Sequence, residues 1–160
     1  MVASNPELHA VEALRASSAP PEPRAAVRPR VLVVDDDEDL REMYCLALAE
    51  LGFDVTPCAS GDEALAAARA KAPDIVVTDV AMPGLDGNAT TRAIKVEWPD
   101  VVVIVMTAYG ATRYYDAARA AGCDAFVCKP VDPVEVSAVV RCVRERRAAE
   151  RALAARACAQ

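Results

Sequence analysis

Ile75-Val76-Val77-Thr78-Asp79-Val80-Ala81-Met82-Pro83-Gly84-Leu85-Asp86-Gly87 is the stretch on which the reading of the whole chain turns. Three β-branched apolar residues and a threonine run straight into a carboxylate, and the chain then breaks into Pro83, Gly84, Asp86 and Gly87. This is the pattern of a buried strand that delivers an acid to the mouth of a loop. Taken alone it fits equally a surface aspartate capping a turn, so the flanking segments must decide.

Downstream, residues 88–97 carry helical spacing up to Trp98-Pro99, where the residue before proline leaves helical geometry. Thr90 and Thr91 make that helix intrinsically weak. Residues 101–106 are wholly apolar and end in Thr107, as expected of a central strand covered on both faces. A fourth helix is expected over 111–121, stopped by Gly122, and then a short strand over 125–127 leading into Cys128-Lys129-Pro130. Asp132 caps a last helix with Pro133 at its first position and Val136, Val139, Val140 and Val143 on its apolar face.

Upstream, Ser60 followed three residues later by Glu63 is a capping box for an alanine-rich helix reaching about residue 71. Pro57 cannot donate to a ladder, which confines the strand over 53–58 to a sheet edge. Leu40, Tyr44, Ala47, Leu48 and Leu51 recur at helical spacing, with Asp39 and Glu42 placed to cap the start and Gly52 to end it. Ahead of that helix, Val31 to Val34 run into Asp35-Asp36-Asp37.

Strands and helices thus alternate five times, and parallel neighbours need right-handed helical crossovers. The expected fold class is α/β, a flavodoxin-like doubly wound parallel sheet in the order 2-1-3-4-5 with five helices. In such a sheet, sites lie outside the carboxyl ends of the strands. Residues 1–29, with Pro6, Pro20, Pro21, Pro23 and Pro29, read as a mobile arm. The domain covers 30–147, and 148–160 extend the last helix.

A chain of 160 residues suits one domain, and 54% hydrophobic with only 4% aromatic residues means a core of Val, Ala and Leu. No apolar run approaches the ~20 residues of a membrane span and residues 1–30 hold no basic segment followed by an apolar one, so a soluble, cytoplasmic protein without membrane contact is expected. The six cysteines form no C-x-x-C pair and His9 is the one histidine, which favours small reduced core residues over a metal site or disulfides. Residues 31–140 hold 8 basic and 19 acidic side chains, net −11 within a total of −6, so no direct DNA binding is expected there.

The strand ends carry the chemistry. Asp35 and Asp36 follow the first strand, Asp79 the third, Thr107 the fourth, and Lys129 stands just past the fifth. Carboxylates crowded on one rim repel unless a cation neutralises them. Oxygen donors without histidine or thiolate suit a hard ion, and open positions for water and phosphate suit Mg²⁺ better than Ca²⁺. A lysine and a threonine hydroxyl serve phosphoryl oxygens, and an aspartate can be a covalent acceptor.

At these residues the chain resembles the receiver domain of bacterial two-component response regulators, over residues 30 to 147. The matching segments are Val31 to Asp37, Asp79-x-x-Met82-Pro83-x-x-Asp86-Gly87, Met106-Thr107-Ala108 and Lys129-Pro130. The resemblance implies that Asp79 is the phosphoacceptor and that Mg²⁺ is bound by Asp36 directly, Asp35 through water, Asp79 and the backbone carbonyl of Ala81. It implies that Thr107 bonds the phosphoryl group and shifts on activation, that Phe126 swings inward with it, that Lys129 pairs with the group, and that the bond to Pro130 is cis. Implied partners are a sensor histidine kinase or histidine phosphotransfer protein, a downstream protein target, and a homodimer through helix 4, strand 5 and helix 5. The chain would catalyse only its own phosphorylation and dephosphorylation.

Two other readings compete. Asp35-Asp36-Asp37 after a strand imitates haloacid-dehalogenase-type phosphatases, but position 39 is Asp where that pattern wants Thr or Val. The other is a receiver-fold interaction module that is never phosphorylated. Past the domain, Arg141, Arg144, Arg146, Arg147, Arg151 and Arg156 among alanines read as a solvated helical extension, with a basic contact surface as the alternative.

Overall fold

The computed structural model describes residues 28–108 and 113–158. Its elements alternate: β1 Arg30–Val34, α1 Glu38–Glu50, β2 Asp54–Cys58, α2 Gly61–Ala70, β3 Ile75–Asp79, α3 Gly87–Glu97, β4 Val102–Ala108, α4 Arg113–Ala120, β5 Ala125–Lys129 and α5 Pro133–Cys158. All strands pair in parallel in the order β2-β1-β3-β4-β5, as the alternation required. The proline-bearing β2 lies at an edge. Most of the expected amino-terminal arm and the start expected for the fourth helix at Ala111 lie outside the described residues.

Successive side chains of a strand point to opposite faces, and β1 divides the core accordingly. Val31 and Val33 join Tyr44, Leu48, Ile104, Met106, Val136 and Val140 in a cluster under α1 and α5. Leu32 and Val34 join Ala64, Ala68, Ile94, Val103, Val105 and Ala118 under α2, α3 and α4. Small residues on α2 let it approach closely: a Cβ at Gly61 would collide with Thr90 Oγ1 on α3.

Local chemistry sets the helix boundaries. The α1 cap is Asp37, whose carboxylate accepts the Leu40 N–H at 3.0 Å, and not Asp39, which lies inside the first turn. In a row of five acids only the backbone geometry selects the capping one. Ser60 accepts the Glu63 N–H at 3.2 Å, and Glu63 reaches back to the Ala59 N–H at 2.7 Å, so the capping box closes one residue early. Thr90 and Thr91 are buried in α3, their hydroxyls donating to the carbonyls of Asp86 and Gly87 at 2.8 and 2.7 Å, which satisfies them inside the core.

Two expectations need correction. The cysteines are free thiols at the described positions, but Cys128 and Cys142 are exposed and only Cys58 is a buried core residue, since positions on an edge strand or an outer helix face need not fill the core. The arginine-bearing continuation of α5 is helical to Cys158 and exposed at Arg144, Arg146, Arg151 and Arg156, but Arg147 is half-buried and pairs with Asp124, and exposed Arg151 pairs with Asp100. Among the described residues no helix is long and apolar enough to cross a membrane.

Candidate functional site

Parallel strands present their carboxyl ends on one rim. Asp35 directly follows β1, Asp79 closes β3, Thr107 lies near the end of β4 and Lys129 ends β5. The register sets Asp79 beside Met106, Thr107 beside Cys128 and Ala108 beside Lys129. Lys129 Nζ donates to Asp35 Oδ2 at 2.6 Å and lies 2.7 Å from Asp79 Oδ1. The other oxygens are also held: the Asp37 N–H reaches Asp35 Oδ1 at 3.0 Å and the Ala81 N–H reaches Asp79 Oδ2 at 2.7 Å.

One ammonium therefore joins two carboxylates that are 1% and 7% exposed, leaving a net charge of −1 on the trio. Burial pulls the Lys129 pKa down, but its hydrogen bonds to Asp35 and Asp79 and their charges outweigh this and hold it above the ordinary lysine value. Thr107 is 2% exposed, follows Met106, the residue in register with Asp79, and makes no side-chain hydrogen bond to a described residue. Asp36 is exposed on the loop beyond β1.

No three His, Cys, Asp or Glu side chains among the described residues converge as a closed metal cage. The donor set still fits Mg²⁺, which takes one or two carboxylates and keeps waters or phosphate oxygens for its other positions. Asp35 and Asp79 are hard oxygen donors 2.6 and 2.7 Å from the same ammonium, and Asp36 follows Asp35 in the chain. Ala81, whose carbonyl was expected to join them, is exposed in the loop after β3.

Contacts of Tyr44, Arg41 and Gly87 support the site and were not visible in the sequence. The Tyr44 hydroxyl, on α1, donates to the Val131 carbonyl at 3.1 Å, tying down the turn that follows Lys129 across 87 positions of chain. Burial raises the Tyr44 pKa, keeping that phenol protonated. Arg41 Nη1 donates to the Asp35 carbonyl at 2.7 Å. Gly87 packs against the Asp79 backbone, where a Cβ would collide with the Asp79 carbonyl oxygen. The Lys129-Pro130 peptide is cis. Phe126 is half-buried, its ring edge-on to exposed Tyr115 with centroids 5.5 Å apart. Beside Lys129, an open groove of about 680 Å³ is lined by Leu40, Met43, Tyr44, Pro130, Val131 and Pro133.

Comparison with known proteins gives a consistent answer. The profile of the response regulator receiver domain matches residues 31–141. The probable transcriptional regulatory protein TcrX of Mycobacterium tuberculosis is 38% identical over 116 residues, 72% of this chain and 50% of that protein. The DNA-binding response regulator MtrA of Mycolicibacterium smegmatis is 36% identical over 115 residues, again 72% of this chain and 50% of that protein. Among solved structures, chemotaxis protein CheY4 of Vibrio cholerae aligns with a TM-score of 0.70 at 26% identity, covering 73% of this chain and 99% of that one. The chain spans about half the length of the curated relatives it matches. The expectation of no direct DNA binding is overturned by these relatives, one of which is a DNA-binding response regulator. The acidic balance of residues 31–140 describes one domain's surface and does not extend to the half of those proteins lying outside the match.

Proposed function

The chain belongs to the response regulator receiver domain family, and on that premise we propose that it is a phosphorylation switch whose acceptor is Asp79. The observation that carries this reading is the single ammonium of Lys129 shared between buried Asp35 and Asp79 at the sheet rim. A carboxylate oxygen of Asp79 attacks the phosphorus of a phosphohistidine on a histidine kinase or phosphotransfer protein. The P–O bond forms as the P–N bond breaks, the imidazole leaves with the electron pair, and the product is an aspartyl phosphate. Lys129 and the Thr107 hydroxyl would donate to the phosphoryl oxygens. Asp35, Asp36, Asp79 and the Ala81 carbonyl would hold Mg²⁺, which when bound supplies positive charge to those oxygens.

The apolar groove between α1 and the turn after β5 supports a protein donor, since it offers contact area next to Lys129. Phosphorylation then biases a pre-existing equilibrium in which Thr107 and Phe126 take part. The output we assign is transcriptional, since TcrX is a probable transcriptional regulatory protein and MtrA a DNA-binding response regulator. A receiver is a signalling switch and not a turnover enzyme, and catalysis here is confined to the chain's own phosphorylation and dephosphorylation. The phosphatase reading has no support from the family match over 31–141.

Incubation with Mg²⁺ and acetyl phosphate followed by intact-mass spectrometry tests the proposal. One added phosphoryl group, absent in Asp79→Asn, is expected. No gain in the native protein, or a gain that persists in Asp79→Asn, overturns the assignment of Asp79.

A further inference from the structure

A further carboxylate, largely shielded from solvent, joins several elements at the opposite end of the sheet. Asp124, the residue before β5, has a side chain only 9% exposed. Its Oδ2 accepts Lys95 Nζ of α3 at 2.6 Å and the Val103 N–H of β4 at 2.8 Å, while its Oδ1 stands 2.6 Å from Arg147 Nη2 of α5. Lys95 also donates to the Val101 carbonyl at 2.7 Å, and Arg147 Nη1 to the Asp100 carbonyl at 2.6 Å. One turn further along α5, Arg151 pairs with Asp100, but there the side chains are 60% and 81% exposed.

The matched receiver ends at residue 141, whereas α5 continues to Cys158. Val143 is its last buried apolar residue. From Arg144 to Ala157 every described side chain is exposed except Arg147, which is half-buried. Hydrophobic burial therefore cannot hold this continuation against the domain, and a helix of such length is marginal in isolation. What remains is charge. An exposed pair such as Arg151 with Asp100 contributes little and is screened by salt, while a pair at low exposure that also satisfies backbone groups is costly to break.

We propose that Asp124 is a latch that seats the continuation of α5, with Arg147 as its tongue, so that the direction in which the helix leaves the domain is set by the amino end of the sheet. The inner pair fixes that direction, and the outer pair of Arg151 with Asp100 only trims it. Lys95 belongs to the same device: its ammonium neutralises the second oxygen of Asp124 and carries the constraint to α3. The latch is independent of the Asp79 rim and of any phosphoryl transfer there.

Hydrogen exchange read by mass spectrometry on the full chain tests this. In Arg147→Met, amides of residues 148–158 should exchange about tenfold faster or more, while β1, β3 and β4 keep their protection. Asp124→Asn should do the same and loosen the end of α3, whereas Asp100→Asn should change residues 152–158 by no more than about twofold. Unchanged exchange in Arg147→Met, or an Asp100→Asn effect equal to it, overturns the proposal. So does a native protein in which residues 148–158 already exchange at the unprotected rate. Should Asp124→Asn unfold the domain, Arg147→Met decides alone, because Arg147 lies farther from the core.

Discussion

Replacing Lys129 by methionine keeps much of the side chain's volume and removes its charge, which isolates what the ammonium does between Asp35 and Asp79. The contacts of 2.6 and 2.7 Å mean that the two bonded oxygens stand no more than about 5 Å apart. Two unit negative charges at that distance repel by about 3 kcal/mol at an effective dielectric of about 20. Breaking a buried pair by removing one partner costs about 3–5 kcal/mol in general, and the two figures agree. The variant has a way to relieve the repulsion: one carboxyl takes up a proton in the folded state that it does not hold when unfolded. Stability of Lys129→Met should therefore be nearest to that of the native protein around pH 5 and fall as the pH rises to 8. Urea denaturation at both pH values, in EDTA so that no cation substitutes for the ammonium, measures the difference. A loss below ~1 kcal/mol at pH 8, or a loss of equal size at both pH values, would refute the account of the trio as two carboxylates held by one cation.

Gly87→Ala forces a Cβ into the Asp79 carbonyl oxygen and should destabilise by about 1–3 kcal/mol or more, seen as a lower Tm. Tyr44→Phe leaves the buried Val131 carbonyl without its donor and should cost about 1–3 kcal/mol in urea denaturation. Burial pushes the Cys58 thiol up to about 11 from an ordinary 9, so the folded state keeps a proton that the unfolded chain gives up. Stability should fall by at most about 2–3 kcal/mol between pH 9 and 11, and in Cys58→Ala that part of the slope should vanish.

Short-range signals carried most of the architecture. β1, β3 and β4 are apolar runs that stop at polar residues, and the stopping residues, Asp35, Asp79 and Thr107, are the ones the sheet brings to its rim. Lys129 was legible because Pro130 punctuates the chain beside it. The remainder depends on contacts between positions far apart, which no local pattern encodes. Tyr44 has the spacing of a core residue on α1, and only the fold reveals that its hydroxyl restrains the turn after Lys129. Asp124 looks like an ordinary turn acid, and its links to Lys95 and Arg147 span 29 and 23 positions. The run of acids from Asp35 to Asp39 offered several possible caps for α1, and backbone geometry chose Asp37. Cys128 and Cys142 proved exposed because cysteine's preference for burial yields to the position of an edge strand and an outer helix face.

The two-sided packing of β1 has a consequence for which sequences can occupy this fold. β1, β3 and β4 send alternate residues to opposite core clusters, and each finishes at a group on the rim. Inserting or deleting a single residue in β1 or β3 would exchange the two faces and shift its acid by about 3.3 Å along the strand. Core and chemistry would fail in one event. Changes in chain length are thus confined to the turns at the amino end of the sheet and to the helices, so the lengths of these strands are fixed by the rim as firmly as any residue identity.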